Sequence, residues 1–152
     1  MLPIASIEQH PSQPRRHFDE GALAELAAAG FTVQAHVTTG PGDATIIARG
    51  LAEQGAETIL CVGGDGTTNE VVNGLVANDR PVNAATRLAL IPCGTGKDLG
   101  RSVGTRSVEQ TIQALQANST ALVDVGRIQY LDHRTGYLET RYFANVADNG
   151  IG

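Results

Sequence analysis

The sequence has few cysteines, and their placement excludes two classes of small protein. Cys61 and Cys93 are the only two, and neither has a CxxC partner or a histidine at zinc-finger spacing. This pattern predicts neither a structural zinc site nor a disulfide framework. We expect both thiols to be reduced, as is usual in cytosolic proteins.

An excess of positive charge and long apolar runs are also missing. Eleven basic and sixteen acidic residues give a net charge of −5, so the composition indicates no nucleic-acid partner. No segment approaches the roughly 18 apolar residues that a membrane span requires. Residues 1–13 lack the basic and apolar stretches of a secretory signal. We therefore expect a soluble globular protein in the cytoplasm.

Short apolar segments alternate with helix-like segments along most of the chain. Strands are predicted at residues 2–7, 31–39, 58–62 and 87–93. Helices are predicted near residues 19–29, 43–54, 67–76 and 107–117. This alternation predicts βαβ units, and therefore an α/β fold: a three-layer α/β/α, Rossmann-like open parallel sheet. Residues 121–131 and 137–147 instead predict a β-hairpin around a five-residue turn, with no helix between its strands.

A glycine-rich segment, 63-GGDGT-67, lies between a buried strand and a helix. Ligands of parallel α/β sheets bind beyond the carboxyl ends of strands. Glycines there are expected to adopt positive φ and to leave no Cβ between the backbone and a ligand. The helix that follows has unpaired N–H groups and a dipole that favours an anion, so the loop suits phosphate. The simpler interpretation is a turn in which Asp65 caps the helix.

Asp65 is unusual beside a phosphate, because its carboxylate would repel the ligand unless a cation stood between them. Mg²⁺ is the usual intermediary. Alternatively, Asp65 could act as a base toward an attacking hydroxyl. Both roles are open on the sequence alone.

A second segment, 94-GTGKDLGRS-102, repeats this design after the strand that ends near Cys93. Its first residues supply two closely spaced glycines, a hydroxyl at Thr95, a cation at Lys97 and a carboxylate at Asp98. If the two strands are neighbours, the two loops form one cleft, which would favour a nucleotide site. Neither loop has the spacing of a Walker A motif or a GxGxxG dinucleotide fingerprint.

The pair of motifs, 63-GGDGTTNEVVNGL-75 and 91-IPCGTGKDLGRS-102, resembles the diacylglycerol kinase catalytic domain family, especially its soluble bacterial lipid kinases. GGDGT alone is shared with NAD kinases, and the second motif narrows the resemblance to lipid kinases. The segment 38-TTGPGDA-44 looks like a further family motif, and 142-YFANVADNGIG-152 looks like the passage to the family's C-terminal domain.

The resemblance implies binding of ATP and Mg²⁺ and transfer of the γ-phosphoryl group to a lipid such as diacylglycerol or phosphatidylglycerol. Asp65 would be the catalytic residue and the ligand of Mg²⁺. The nucleotide contacts implied are Thr38, Gly63, Gly64, Asp65, Gly66, Thr67, Thr68, Asn69, Glu70, Gly94, Thr95 and Gly96. Peripheral membrane contact would follow from a lipid acceptor, and the oligomeric state is open between a monomer and a homodimer.

The resemblance also implies a division of the chain. Residues 1–120 would form the α/β nucleotide-binding domain of the NAD kinase and diacylglycerol kinase type. Residues 121–152 would form a hairpin and the start of a C-terminal β-sandwich domain, so we expect a fragment without full activity. Two residues depart from the family pattern: His10 stands where an asparagine is usual, and Lys97 replaces the asparagine of GTGND.

Two alternatives remain. One is a kinase of the NAD kinase type that acts on a soluble substrate through the same GGDGT loop. The other is a non-catalytic nucleotide-binding module.

Overall fold

The computed structural model describes residues 3–8, 20–92 and 98–144. The strands are β1 (Pro3–Glu8), β2 (Thr32–Val37), β3 (Thr58–Gly63), β4 (Val76–Ala77), β5 (Arg80–Pro81), β6 (Arg87–Pro92), β7 (Gly126–Leu131) and β8 (Leu138–Phe143). The helices are α1 (Glu20–Ala28), α2 (Asp43–Glu53), α3 (Asp65–Leu75), α4 (Asp98–Ser102) and α5 (Val108–Gln116).

Four of the strands form a parallel sheet in the order β2-β1-β3-β6. β3 is central, and five of its six residues, from Ile59 to Gly63, are buried, as its unbroken apolar sequence predicts. The alternation of strands and helices produces this arrangement, because each helix returns the chain to the same end of the sheet. The predicted α/β organisation with a parallel sheet is confirmed.

Alternate residues of β3 contribute to two hydrophobic cores on opposite faces of the sheet. Ile59 and Cys61 pack with the buried residues of α2 and α3. Leu60 and Val62 pack with Ala22 of α1 and with apolar residues of α5. Helices therefore cover both faces, and β3 is held from both sides.

Local signals explain several of the boundaries. Gly42 precedes α2 with φ 89°, and Gly55 follows it with φ 83°, which are backbone conformations that glycine adopts without strain. At α5, the Ser107 side chain accepts a hydrogen bond from the Gln110 N–H (3.3 Å), as expected for an N-cap. The Thr111 hydroxyl then donates to the Leu90 carbonyl (2.7 Å) and fixes α5 to β6.

Both boundaries of α3 differ from the predictions. α3 begins at Asp65 rather than Thr67, and Val76 belongs to β4 rather than to the helix. β4 and β5 form a short hairpin whose turn residues, Asn78 and Asp79, have φ of 50° and 61°. Asn and Asp tolerate the left-handed region better than most residues, so the chain turns there instead of continuing as helix.

The C-terminal hairpin is confirmed, but its strands are shorter than predicted. β7 pairs antiparallel with β8 from Gly126 opposite Phe143 to Leu131 opposite Leu138. Residues 121–125 precede the pairing, and residues 145–147 lie outside the described residues. Asp132 closes the turn, because its carbonyl accepts from the Gly136 N–H (2.7 Å).

Candidate functional site

The two glycine-rich segments follow neighbouring strands. β3 and β6 are hydrogen-bonded partners, and Gly63 at the end of β3 is in register with Pro92 at the end of β6. Both segments therefore leave the sheet at the same edge. The strand order also reverses between β1 and β3, since β2 lies on one side of β1 and β3 on the other. Parallel α/β sheets bind ligands in the crevice at such a switch point.

The N-terminus of α3 faces this edge with bare backbone donors. Gly64 is the N-cap, and it has no side chain to cap the helix. The N–H groups of Asp65, Gly66 and Thr67 have no carbonyl acceptor within the helix, because the first acceptor, the Gly64 carbonyl, serves Thr68 (3.0 Å). These donors and the helix dipole favour an anion at this point.

The glycines of this loop do not adopt positive φ, so that expectation is wrong. Gly64 is extended (φ −88°, ψ −173°), and Gly63 and Gly66 are absent from the glycines with positive φ. Steric crowding explains the glycine at position 63 but not the glycine at position 66. A Cβ on Gly63 would lie 2.8 Å from the Thr67 Cβ, whereas a Cβ on Gly66 would meet nothing within 4 Å. Gly63 lets the strand approach the helix, and Gly66 borders open space.

Asp65 occupies the first position of α3 and is half-buried. Its carboxylate has no hydrogen bond or ion pair among the described residues, so it does not cap the helix with its side chain. A carboxylate is favourable in a first turn, because of the helix dipole. Its oxygens remain available to a cation or a hydroxyl.

The next three residues differ in what they offer to a ligand. The Thr68 hydroxyl is committed within the protein: it donates to the Gly64 carbonyl (3.0 Å) and lies 3.6 Å from the Cys61 sulfur. The Asn69 Oδ1 is buried and has no hydrogen-bond partner in the described part of the chain. Glu70 is half-buried, and its carbonyl accepts from the Thr45 hydroxyl (2.9 Å). Thr68 therefore supports the loop, and Asn69 retains an unused acceptor.

Thr38 lies one residue beyond β2 and is only 5% exposed. β1 separates β2 from β3, which places the ends of β2 and β3 about 10 Å apart. Asp43 shapes the intervening loop, because its Oδ2 accepts from the N–H of Thr39 (2.6 Å), from the Thr39 hydroxyl and from the N–H of Gly40 (3.1 Å). The sequence predicted Asp43 as the start of α2 and as part of the family-like segment 38–44, but not these hydrogen bonds. A carboxylate three or four residues after a Thr-Gly pair was the available signal.

Part of the second segment lies outside the described residues. Gly94, Thr95 and Gly96 are among these, together with Cys93, Lys97 and His10. The described remainder begins at Asp98, which is exposed and forms an ion pair with Arg101 (3.2 Å). Arg101 therefore has a carboxylate partner on its own helix.

Asn73, near the other end of α3, is a structural residue that the sequence did not reveal. Its Nδ2 donates to the Tyr142 carbonyl (2.7 Å), and its Oδ1 accepts from the Tyr142 N–H (2.9 Å). The same Nδ2 lies 2.8 Å from the Asn69 carbonyl. One side chain thus attaches β8 to the helix that begins at Asp65.

A match to a protein-family model shows which family the chain belongs to. Residues 11–128 match the model of the Diacylglycerol kinase catalytic domain, which is most of the chain. The chain belongs to the diacylglycerol kinase catalytic domain family. The predicted resemblance is thereby confirmed.

Individual relatives of the family agree. The chain is 34% identical to a diacylglycerol kinase of Staphylococcus haemolyticus over 99% of its length and 42% of the relative. It is 34% identical to a diacylglycerol kinase of Bacillus subtilis over 96% of its length and 45% of the relative. A crystal structure of a diacylglycerol kinase from Bacillus anthracis matches 81% of the chain with a TM-score of 0.61 and 27% identity. The chain spans less than half the length of these relatives.

The described residues of this family member fit a nucleotide better than they fit a metal alone. The free amides of α3 and the open space at Gly66 suit a phosphate group, and the buried Asn69 Oδ1, which is an acceptor, would be satisfied by a hydroxyl or amino group of a nucleotide. No group of three or more His, Cys, Asp or Glu side chains that could hold a metal occurs among residues 3–8, 20–92 and 98–144. Mg²⁺ is commonly held by one or two carboxylates together with substrate phosphates, and Asp65 fits that role.

Proposed function

We propose that this chain is the ATP-binding half of a lipid kinase of the diacylglycerol kinase type. The observation that supports this most is the uncapped N-terminus of α3, which lies at the switch point of a parallel sheet. Membership of the family supports an ATP phosphate as the anion. The relatives are named diacylglycerol kinases, which supports transfer to a lipid hydroxyl such as that of diacylglycerol. We propose phosphatidylglycerol as a second acceptor from the family resemblance.

Different residues of the glycine-rich loop would contact different parts of the nucleotide and its metal. The N–H groups of Asp65, Gly66 and Thr67 would bind phosphate oxygens, and Thr68 would keep Gly64 in the geometry that aims them. Bound ATP supplies the γ-phosphoryl group, and Mg²⁺ neutralises part of its charge. The Asp65 carboxylate would hold the metal next to the phosphates or accept the proton of the attacking hydroxyl.

The remaining contacts of the nucleotide are proposed from the family motifs. Thr38 would contribute from the loop after β2, and Gly94, Thr95 and Gly96 would contribute from the loop after β6. Asn69 would use its unpaired Oδ1, while Glu70 and Gly63 would shape the first turn and the strand end. The adjacency of β3 and β6 supports a single cleft between the two loops.

The division at residue 120 is also a proposal. Residues 1–120 would form the nucleotide-binding domain, and the hairpin after it would lead into a β-sandwich domain that completes the cleft. No helix within the described ranges is long and apolar enough to cross a bilayer. We propose that a lipid acceptor is reached by peripheral contact with the membrane surface.

Two measurements test this function. Calorimetry on the 152-residue chain should detect saturable ATP binding that strengthens with Mg²⁺. The complete translated polypeptide should transfer label from [γ-³²P]ATP to diacylglycerol, phosphatidylglycerol or a sphingoid base. Transfer to NAD and to no lipid would instead identify a soluble-substrate kinase. ATP binding without transfer to any acceptor would identify a non-catalytic module, and no ATP binding would refute the proposal.

A further inference from the structure

A second cleft lies at the opposite end of α3 from Asp65. It occupies about 530 Å³ between the helix pair α2–α3, the β4–β5 turn and the C-terminal hairpin. α3 has eleven residues, so the cleft is about 15 Å from the glycine-rich loop. The side chains that matter for its chemistry are Arg49, Asn78, Asp79, Arg127, Thr140 and Tyr142.

Two guanidinium groups in this cleft are only partly used. The Arg49 Nη2 donates to the carbonyl of Asn73 (2.8 Å), in the last turn of α3, and to the carbonyl of Val76 (2.9 Å), directly after the helix. Its Nε and Nη1 have no partner among the described residues. The Arg127 Nε lies 3.1 Å from the Asp79 Oδ1, and both Nη atoms of Arg127 are likewise without a partner in the described ranges. Arginine retains its full charge in proteins, so these groups keep strong donors for an anion.

The single carboxylate of the cleft is already compensated. The Asp79 Oδ1 accepts from the Tyr142 hydroxyl (2.9 Å) as well as facing Arg127. Arg141 also borders the cleft, but its guanidinium contacts Glu139 (3.3 Å) and the Tyr130 hydroxyl (3.4 Å). Arg49 and Arg127 therefore leave a net positive charge in a protein whose total charge is −5.

Apart from Val76 and Ala77, the rest of the lining is polar, and this limits the class of ligand. Thr140 and Asn78 add a hydroxyl and an exposed amide. The cleft is several times larger than a phosphate ion, so an anion bound by the arginines would have a polar body beside it. Arginine forks match phosphate oxygens in a bidentate geometry.

We propose that this cleft binds a phosphate monoester carried on a small polyol, with Arg49 and Arg127 as the phosphate ligands. The same chemistry is present in free glycerol phosphate and in the headgroup of phosphatidic acid, whose phosphate is also a monoester. This site goes beyond the proposed function, because it shares no side chain with the glycine-rich loop.

The test is a titration of the 152-residue chain with sn-glycerol 3-phosphate, followed by NMR shifts of the cleft amides. Glycerol is the matched neutral ligand. Vesicles of phosphatidylcholine with and without phosphatidic acid form the second arm, read by co-sedimentation. Saturable binding of the free ester identifies a soluble ligand, and binding only to phosphatidic acid vesicles identifies a lipid headgroup. Binding of neither refutes the site.

Three variants make the assignment specific. Arg127→Gln should weaken binding by about tenfold, the effect of losing one charge-assisted contact at a half-exposed site. Arg106→Gln removes the same charge from an exposed arginine outside the cleft and should leave binding unchanged. Asp79→Asn should bind the ester at least as tightly as the parent, because it frees Arg127.

Equal losses in Arg127→Gln and Arg106→Gln would overturn the proposal, since only overall charge would then matter. A loss of affinity in Asp79→Asn as large as that in Arg127→Gln would also overturn it, because Asp79 and Arg127 would then act only by stabilising the structure of the cleft. ATP binding should be the same in all three variants. The cleft and the nucleotide site can therefore fail independently.

Discussion

Gly66→Ala separates the stability of α3 from its proposed contact with phosphate. A Cβ at Gly66 would meet no protein atom within 4 Å, so the methyl group fits the fold. Alanine in place of a helical glycine stabilises by up to about 1 kcal/mol. For a chain of this length that is a rise in Tm of about 2–4 °C. The same methyl group would project beside the free amides and displace a phosphate oxygen, so ATP affinity should fall about ten- to a hundredfold.

Gly74→Ala is the matched control, because it makes the same change in the same helix. A Cβ there would lie 2.5 Å from the Thr45 carbonyl and 2.7 Å from the Ala48 Cβ, which is backbone and methyl contact that cannot easily yield. We expect a loss of about 1–3 kcal/mol in the free energy of unfolding. Thermal melts measure the stability of both variants, and calorimetry measures their affinity for ATP. An unchanged ATP affinity in a stabilised Gly66→Ala variant would refute the placement of phosphate at this helix end.

Three further predictions concern the metal, the hairpin and pH. Asp65→Asn should leave ATP binding in EDTA unchanged or tighter, since a repulsive charge is lost. It should also abolish most of the gain in ATP affinity that calorimetry detects on adding Mg²⁺. An undiminished gain in affinity would exclude Asp65 as the metal ligand. Asn73→Leu should lower the free energy of unfolding in urea by about 2 kcal/mol and speed amide hydrogen exchange in β8, because both backbone groups of Tyr142 lose their partner. Exchange at the parent rate would contradict the attachment of β8 to α3 through Asn73. The Arg134 N–H and guanidinium hold the pKa of Asp132 below its usual range, so this stabilisation is complete above about pH 4 and is lost as pH falls through the lower folded pKa. NMR of the turn amides should show that step in the parent and not in Asp132→Asn.

The sheet was predictable because its signals are local. The apolar segment of β3 and the start of a helix near Ser107 each depend on a few adjacent residues, and both are found as predicted. The family motif around Asp65 is similarly local, and it located the helix that faces the carboxyl edge of the sheet.

What the sequence did not predict depends on residues that are distant along the chain. The Asn73 tether joins positions 69 residues apart, and no periodicity in the sequence reports such a pair. The end of α3 was misplaced for a related reason: Val76 continues the apolar stripe of the helix, and only the turn at Asn78 and Asp79 removes it. The backbone of Gly63 was misjudged because the close approach of Thr67, rather than a positive φ, requires glycine there.

α3 is the element that relates the two candidate sites. Its first turn presents the amides at Asp65 and Gly66. Its last turn contains Asn73, whose carbonyl accepts from Arg49 and whose side chain attaches β8. Gly74 packs directly against α2, so the helix cannot tilt at one end without disturbing its contacts at the other. A ligand in the cleft and a nucleotide at the loop would therefore contact opposite ends of the same rigid helix. Binding at each site can still be removed by its own substitution.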